Sequence, residues 1–273
     1  MKKMLQWGLY CACIWVLNTP FPATAQPIDD VVRRSLIAEK QPLEYPPVRE
    51  ADIIWEKRVW RVIDSRQTMN LSFAYPPMPL VKLLEKGIRE GAITPYSIEN
   101  QDFSESMDTS ELFSLLYRVD TIPVFDPETA DQYEQIVLTD YNPEDVVRYR
   151  IKELWYFDKQ RSTLQVRILG IAPLLIVKDD NGDFLYERPL FWAYYPDCRK
   201  WLAQYEAPAL SQSVHTMTWE DLFEMRHFTG YIMKENNIYD RRLTDYLSGV
   251  DLLSEAGKIE QSLFNFEHDL WSY

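Results

Sequence analysis

The sequence predicts an α+β fold: a central antiparallel β meander flanked by helices, with an extended proline-rich N-terminal arm and a helical C-terminal part. Three observations carry this. Apolar and polar residues alternate between Tyr149 and Ile168, the period of half-buried strands. Asn181-Gly182 stands between two apolar runs. That pair favours a two-residue hairpin turn, because both central residues tolerate positive φ. From Val250 to Trp271, the residues Leu253, Ile259, Leu263, Phe266 and Leu270 fall near one stripe, as on an amphipathic helix.

In chain order, Met1-Lys2-Lys3 is a short basic start, followed by an apolar run from Met4 to about Leu17 and then Ala23-Thr24-Ala25. This is the layout of a secretory signal peptide, with cleavage expected between Ala25 and Gln26 and Ala23 as the second small residue of the site. The run is shorter than the ~20 residues a spanning helix needs. Cys11 and Cys13 lie too early in it for a lipoprotein signal. Residues 26–50 hold Pro27, Pro42, Pro46 and Pro47 and read as an extended arm, with a short helical turn near Asp29–Ile37. Residues 51–273 read as one α+β core, helical from about 211 onward.

Within the core, Ile53, Trp55, Val59, Trp60, Ile63 and Met69 are spaced mostly by three or four, which predicts a helix. Tyr75-Pro76-Pro77-Met78-Pro79 breaks it, and Leu80 to Glu90 forms the next, ended by Gly91. Asp108 or Thr109 caps a helix through Tyr117. The meander spans Arg148 to Tyr195. Tyr149–Phe157 and Leu164–Ile168 are joined by a turn at Asp158–Ser162, and Ala172–Lys178 is joined to Phe184–Tyr195 by Asn181-Gly182. Cys198–Glu206 is a short helix. Thr218 caps a run to about Lys234, with Asp221 in a capping-box position.

Composition narrows the function. The chain has 273 residues, 29 Lys and Arg against 42 Asp and Glu, and a formal charge of −13. A nucleic-acid binder needs a basic face to replace phosphate counterions, so nucleic acid is excluded as a partner, and direct insertion into a membrane is not expected. Loss of the leader removes Lys2 and Lys3 and no acid, leaving 248 residues at −15. It also removes two of the three cysteines, so the mature chain has no intrachain disulfide and relies on its core.

Searches for catalytic chemistry find little. His215, His227 and His268 form no metal-ligand pair with a Glu and read as surface or packed residues. Cys198 beside Arg199 and Lys200 lacks a nucleophile signature and reads as a structural thiol. Asp179-Asp180-Asn181-Gly182-Asp183 resembles a calcium loop, but its glycine comes too early and the twelfth position is Leu190, which cannot coordinate. Neither a Gly-x-Ser-x-Gly elbow nor a phosphate loop occurs. The acid pairs Glu144/Asp145 and Glu220/Asp221, with Trp155, Trp192, Trp201 and Trp219, permit an alternative reading. In it the chain is a soluble periplasmic glycan-binding protein or carboxylate-based glycoside hydrolase. No catalytic, metal or cofactor residues are assigned, and core packing is expected for the tryptophans.

Charge is unevenly spread. Glu99 to Asp145 contains thirteen acids and one base, a sum of −12, whereas Val146 to Arg167 sums to +4. Either this is a solvated acidic flank beside its own basic sheet, or the two segments are complementary between neighbouring copies of the chain. On the second reading, Arg148, Arg150 and Lys152 face Asp126, Glu128 and Asp131 across an interface.

The run Lys152-Glu153-Leu154-Trp155-Tyr156-Phe157-Asp158-Lys159-Gln160-Arg161-Ser162, continuing through Val166-Arg167-Ile168-Leu169-Gly170-Ile171-Ala172-Pro173, resembles the central signature of the gliding-motility GldN family, called PorN in non-gliding relatives. Shorter pieces resemble it in the same order. They are Lys57–Asp64, Leu190–Pro196, Asp221-Leu222-Phe223 with Arg226, Lys234–Asn237 with Tyr239-Asp240-Arg241, and the ending at Trp271. The resemblance covers about Asp52 to Tyr273; Asp120 to Asn142 carries no matching motif. It implies a non-enzymatic structural subunit of the Bacteroidetes type IX secretion system. Such a subunit is periplasmic and assembles with an outer-membrane lipoprotein, GldK/PorK, into a ring at the inner face of the outer membrane. It also meets the periplasmic part of the motor protein GldM/PorM. No cofactor is implied.

Overall fold

The structure of the chain, a computed structural model, describes residues 39–76, 78–125, 132–179, 182–208 and 217–271. All of these fall in one compact unit, Leu36–Tyr273. The expected leader with its cut at Ala23, Ala25 and Gln26, the turn near Asp29–Ile37, Asn181 of the hairpin turn, and His215 lie outside the described residues.

The body is an antiparallel sheet with helices packed on it, as the alternation and the helical stripe require. Strand β1 (Ile53–Asp64) is followed by helix α1 (Leu80–Arg89), the two-residue strand β2 (Pro95–Tyr96), helix α2 (Thr109–Leu116) and strands β3 (Tyr117–Phe125) and β4 (Gln132–Asp140). Then come β5 (Val146–Asp158), β6 (Thr163–Lys178), β7 (Phe184–Pro189), β8 (Trp192–Tyr194), α3 (Tyr195–Leu202), α4 (Trp219–Glu224), β9 (Tyr231–Glu235) and α5 (Gly249–Trp271). The sheet order is β2-β8-β6-β5-β1-β9, with β7 added beside β6. The strands β7 and β8 follow one another along the same edge of β6, pairing at Leu174–Lys178 and Gly170–Ile171. The strands β3 and β4 pair only with each other, as a separate ribbon.

The meander follows the alternation, except that the expected run Phe184–Tyr195 is broken into β7 and β8 at Leu190 and Phe191, and Tyr195 opens α3. Asp158–Ser162 forms its first turn, where the Asp158 carboxylate accepts from the Gln160 N–H at 2.9 Å. The two apolar stretches Leu164–Ile168 and Ala172–Lys178 are one continuous strand, β6, which carries a bulge opposite Lys152 and Glu153. Helix α1 ends at Gly91, whose φ of +74° suits a residue without a Cβ. Asp108 sits at the N-cap of α2. Thr218 and Asp221 complete the expected capping box at α4.

Three further elements differ from expectation. Residues 53–64 form β1 rather than a helix. The first half of β1 alternates in burial, but its second half is buried on both faces between β5 and β9. Both faces must then be apolar, and the doublets Val59-Trp60 and Val62-Ile63 imitate a helical spacing. The run capped by Thr218 stops at Glu224 instead of Lys234, and residues 231–235 are the edge strand β9. Again adjacent residues serve opposite faces: Ile232 packs with Val59, and Met233 with Trp60. Gly230 permits this approach, because a Cβ there would lie 2.5 Å from the Val62 carbonyl oxygen. The short helix after the meander runs from Tyr195 to Leu202, a few residues earlier than its predicted Cys198–Glu206.

Successive β1 residues supply separate cores. Ile63 joins Tyr149, Ile151 and Ile171 under α1, α3 and α4, while Val59 and Ile232 receive Ala256, Ile259 and Leu263 of α5. On the other face, Trp60 and Val62 pack with Ala172 and Trp192. The α5 stripe therefore holds at Ile259 and Leu263, and Phe266 stacks on Trp55 at 4.4 Å. Leu253 is exposed.

Candidate functional site

The basic row of β5 lies on the Trp60 face. Residues two apart on a strand share a face, so Arg148, Arg150 and Lys152 stand side by side. Their environments differ. Arg148 donates to Asp64 at 3.1 Å and to Glu187 at 2.7 Å. Lys152 is buried, donates to the Gln101 carbonyl, and lies 4.9 Å from the centre of the Phe103 ring. Arg150 is only 7% exposed, and its Nε has no hydrogen-bond partner. Burial first, and the positive charge of Arg242 next, lower the Arg150 guanidinium to about 10, while Glu187 and Tyr231 act the other way. Burial likewise lowers Lys152, with Arg58 adding to the effect. The row is thus built into the sheet rather than spread over an open surface, and a reversal of all three charges would strike the fold itself. The acids set against it by the sequence, Asp126, Glu128 and Asp131, lie outside the described residues.

Beside this row, Asp64 gathers the Arg66 guanidinium at 2.9 Å, the Arg66 backbone N–H at 3.0 Å, and Arg148. The hydrogen bond from the Arg66 side chain, opposed by burial and reinforced by the other donors, holds its carboxyl well below the usual range. A carboxylate held low in the folded state contributes stability above its unfolded pKa of about 3.9 and loses it as pH falls toward the folded value. Asp64→Asn is expected to cost about 2 kcal/mol at neutral pH, with the difference from the parent shrinking between about pH 4 and pH 2. Urea melts across that range measure it; a pH-independent difference would sink the account.

A second feature involves the arm. Residues 39–50 lie on their own chain. Tyr45 sits between two guanidiniums, with Arg199 at 4.0 Å and Arg167 at 4.8 Å from the ring centre. Its hydroxyl donates to Glu224 at 2.6 Å, and burial followed by that carboxylate raises it far above its ordinary value. Arg167 donates to the Pro46 carbonyl at 2.7 Å, and Lys40 pairs with Asp221. Arg199 is itself fixed by Glu220 at 2.7 Å. A groove of about 420 Å³ remains between this strap, Tyr156 and α4. Stacking of this kind contributes about 0.5–2 kcal/mol per cation. Tyr45→Ala should therefore speed proteolytic cleavage at Lys40 by roughly tenfold or more. The melting temperature should stay nearly constant, since the strap is not part of the core. An unchanged cleavage rate would show the sandwich is not the latch.

The remaining sequence candidates have structural places. Trp192, Trp201 and Trp219 are buried, and Trp155 packs partly buried beside α5. Glu220 is paired with Arg199, Asp221 with Lys40 and Asp145 with Lys178. Cys198 is fully buried and burial pushes its thiol up, the opposite of a reactive thiolate. His227 and His268 are exposed. Among the described residues no group of three or more His, Cys, Asp or Glu is placed to hold a metal ion.

A family model described as "Gliding motility associated protein GldN" matches residues 48–272. No curated protein gives a match. The match takes in every strand and helix from β1 to α5. It includes the residues that receive the strap but begins after Lys40, Tyr45 and Pro46.

Proposed function

The chain belongs to the GldN family of gliding-motility-associated proteins, and from that membership we propose that it is a non-catalytic structural subunit of the type IX secretion and gliding machinery. It is exported to the periplasm and forms a ring with an outer-membrane lipoprotein of the GldK/PorK kind. The ring engages the periplasmic part of a GldM/PorM-like motor. The observation that carries this reading is the family match across the whole folded core. The leader read from residues 1–25 accords with export. Among the described residues, no helix is long and apolar enough to cross a membrane. On this reading the lipoprotein partner supplies the attachment to the outer membrane. A ring needs two different surfaces that meet head to tail, and the uneven charge of residues 99–167 offers a source of them.

Affinity purification of a tagged chain from the native cell envelope tests the proposal. Recovery in a ring-sized particle with an outer-membrane lipoprotein is the expected result. A lone chain that binds or cleaves glycan would overturn it.

A further inference from the structure

The loop after β9 is built more firmly than its exposure requires. Its base is tied to β1, where the Asn236 N–H donates to the Arg58 carbonyl at 2.9 Å. Asn237 organises the turn from within. Its carboxamide oxygen accepts from the backbone N–H of Tyr239 at 3.1 Å and of Arg241 at 3.0 Å. Its amide nitrogen donates to the carbonyls of Glu235 at 3.2 Å and Arg241 at 2.9 Å. Asp240 holds a φ of +50° and takes the buried Lys234 ammonium at 2.5 Å. What this scaffold presents is apolar: Ile238 is 99% exposed and Tyr239 74% exposed, with Arg241 stacked 4.9 Å from the Tyr239 ring centre. A single exposed apolar residue is ordinary. A rigid tip is different, since the freedom it would lose on docking is already lost in folding.

The same chain carries a pocket of matching character. Between α1 and α4 lies a cavity of about 270 Å³ lined by Tyr75, Met78, Leu83, Tyr205, Pro208 and Trp219. Leu83 and Trp219 are buried and form its floor, while Tyr75 and Met78 are exposed at its mouth. Just under the ~300–1,000 Å³ of small-molecule sites, it suits one or two side chains. The exposed Glu206 also lines it, opposite in sign to Arg241 at the tip. We propose that the tip formed by Ile238 and Tyr239 of one copy inserts into this pocket of the next copy. This rests on the ring reading above and names a contact within it. A tip so exposed does not fill the pocket of its own chain. A projecting apolar feature and a complementary pocket elsewhere on the same molecule generate a head-to-tail contact, the kind that can close into a ring. An apolar anchor seated in a pocket, with charged groups around it, is also where interface energy concentrates.

The test uses the full chain in its native cell envelope. Cys198 is buried with its thiol pushed up, so introduced cysteines report alone when a short thiol cross-linker is applied. Cells producing an Ile238→Cys chain together with a Met78→Cys chain should yield a cross-linked pair, and cells producing either chain alone should not. Both positions are exposed, so the melting temperatures should match that of the parent. Ile238→Ser should lower recovery of the ring-sized particle about tenfold or more, the loss expected for one buried isoleucine side chain. Ile238→Leu should largely preserve it. A ring-sized particle recovered without the cross-linked pair would overturn this contact and leave the ring reading standing. An Ile238→Cys chain that cross-links to itself or to a different protein would do the same, as would undiminished recovery with Ile238→Ser. The pair formed with no ring-sized particle recovered would overturn the ring reading alone, and absence of both would overturn both.

Discussion

Glu153→Leu should destabilise the fold by about 3 kcal/mol, because it leaves buried cations without their counter-ion. Glu153 is fully buried at the centre of β5. Its carboxylate accepts from Arg61 at 3.3 Å, from the Trp155 indole at 2.9 Å and from Arg226 at 2.8 Å. These donors come from β1, from β5 itself and from the turn after α4, so one side chain ties three parts of the chain. Arg61 would retain Glu260 at 2.9 Å and the Gly230 carbonyl at 2.8 Å, which keeps the loss near the lower end of the usual range. The indole would lose its acceptor, while Arg226 would keep the Trp155 and Phe228 rings at 5.5 Å and 5.3 Å and, being partly exposed, can turn to water. The melting temperature should fall by roughly 6–12 °C for a chain of this size. Arg226→Met should cost less, about 1 kcal/mol, since Glu153 would keep its other two donors. Urea melts of both variants check the order, and a loss below about 1 kcal/mol for Glu153→Leu would show that the network contributes little.

Phe73→Ala should cost about 3–5 kcal/mol, the range for deleting a buried phenylalanine. Phe73 lies in the 3-10 segment Thr68–Ala74 and has no exposed surface. Its ring meets Tyr149 at 5.4 Å, Trp219 at 5.5 Å and Phe223 at 5.8 Å, the latter two edge to face. It therefore joins β5 to α4, two elements that share no sequence neighbourhood. Removing it opens a cavity that rigid aromatic walls cannot collapse to fill, and removes favourable ring pairs as well. Phe73→Leu should cost about 1–2 kcal/mol, because much of the volume survives. Phe264→Ala, at a site 64% exposed on α5, should stay within about 0.5 kcal/mol. Thermal melts of the three variants give the ranking; a Phe73→Ala loss no larger than that of Phe264→Ala would contradict the packing described.

Much of the fold is legible where one face of an element meets water. The helices Leu80–Arg89, Thr109–Leu116 and Gly249–Trp271 carry one-sided apolar patterns or end signals, and the β5–β6–β7 meander alternates. Where both faces are buried the period disappears. That is why β1 reads as a helix and β9 as the end of one. The ribbon of β3 and β4 is hidden for another reason. Pro123 breaks the strand pattern of its first segment, and Asp120, Glu134 and Asp140 lower the strand tendency. Only pairing between the two segments makes strands of them.

The candidate site divides in the same way. The sequence by itself determines the resemblance to the family, the leader pattern, and the contrast between an acidic segment and the basic one after it. All of these are local properties of neighbouring residues. It also marks Arg148, Arg150 and Lys152 as a group without ranking them. Only the tertiary structure separates the three, through partners far away in the chain: Asp64 and Glu187 for Arg148, and Gln101 for Lys152. The same holds for the proline-rich arm, whose extended character is local but whose seat between Arg167 and Arg199 is not. Charge adds up along the sequence, whereas pairing and desolvation depend on which strands lie side by side. That is why the unpartnered Nε of Arg150 emerges only once the sheet is formed.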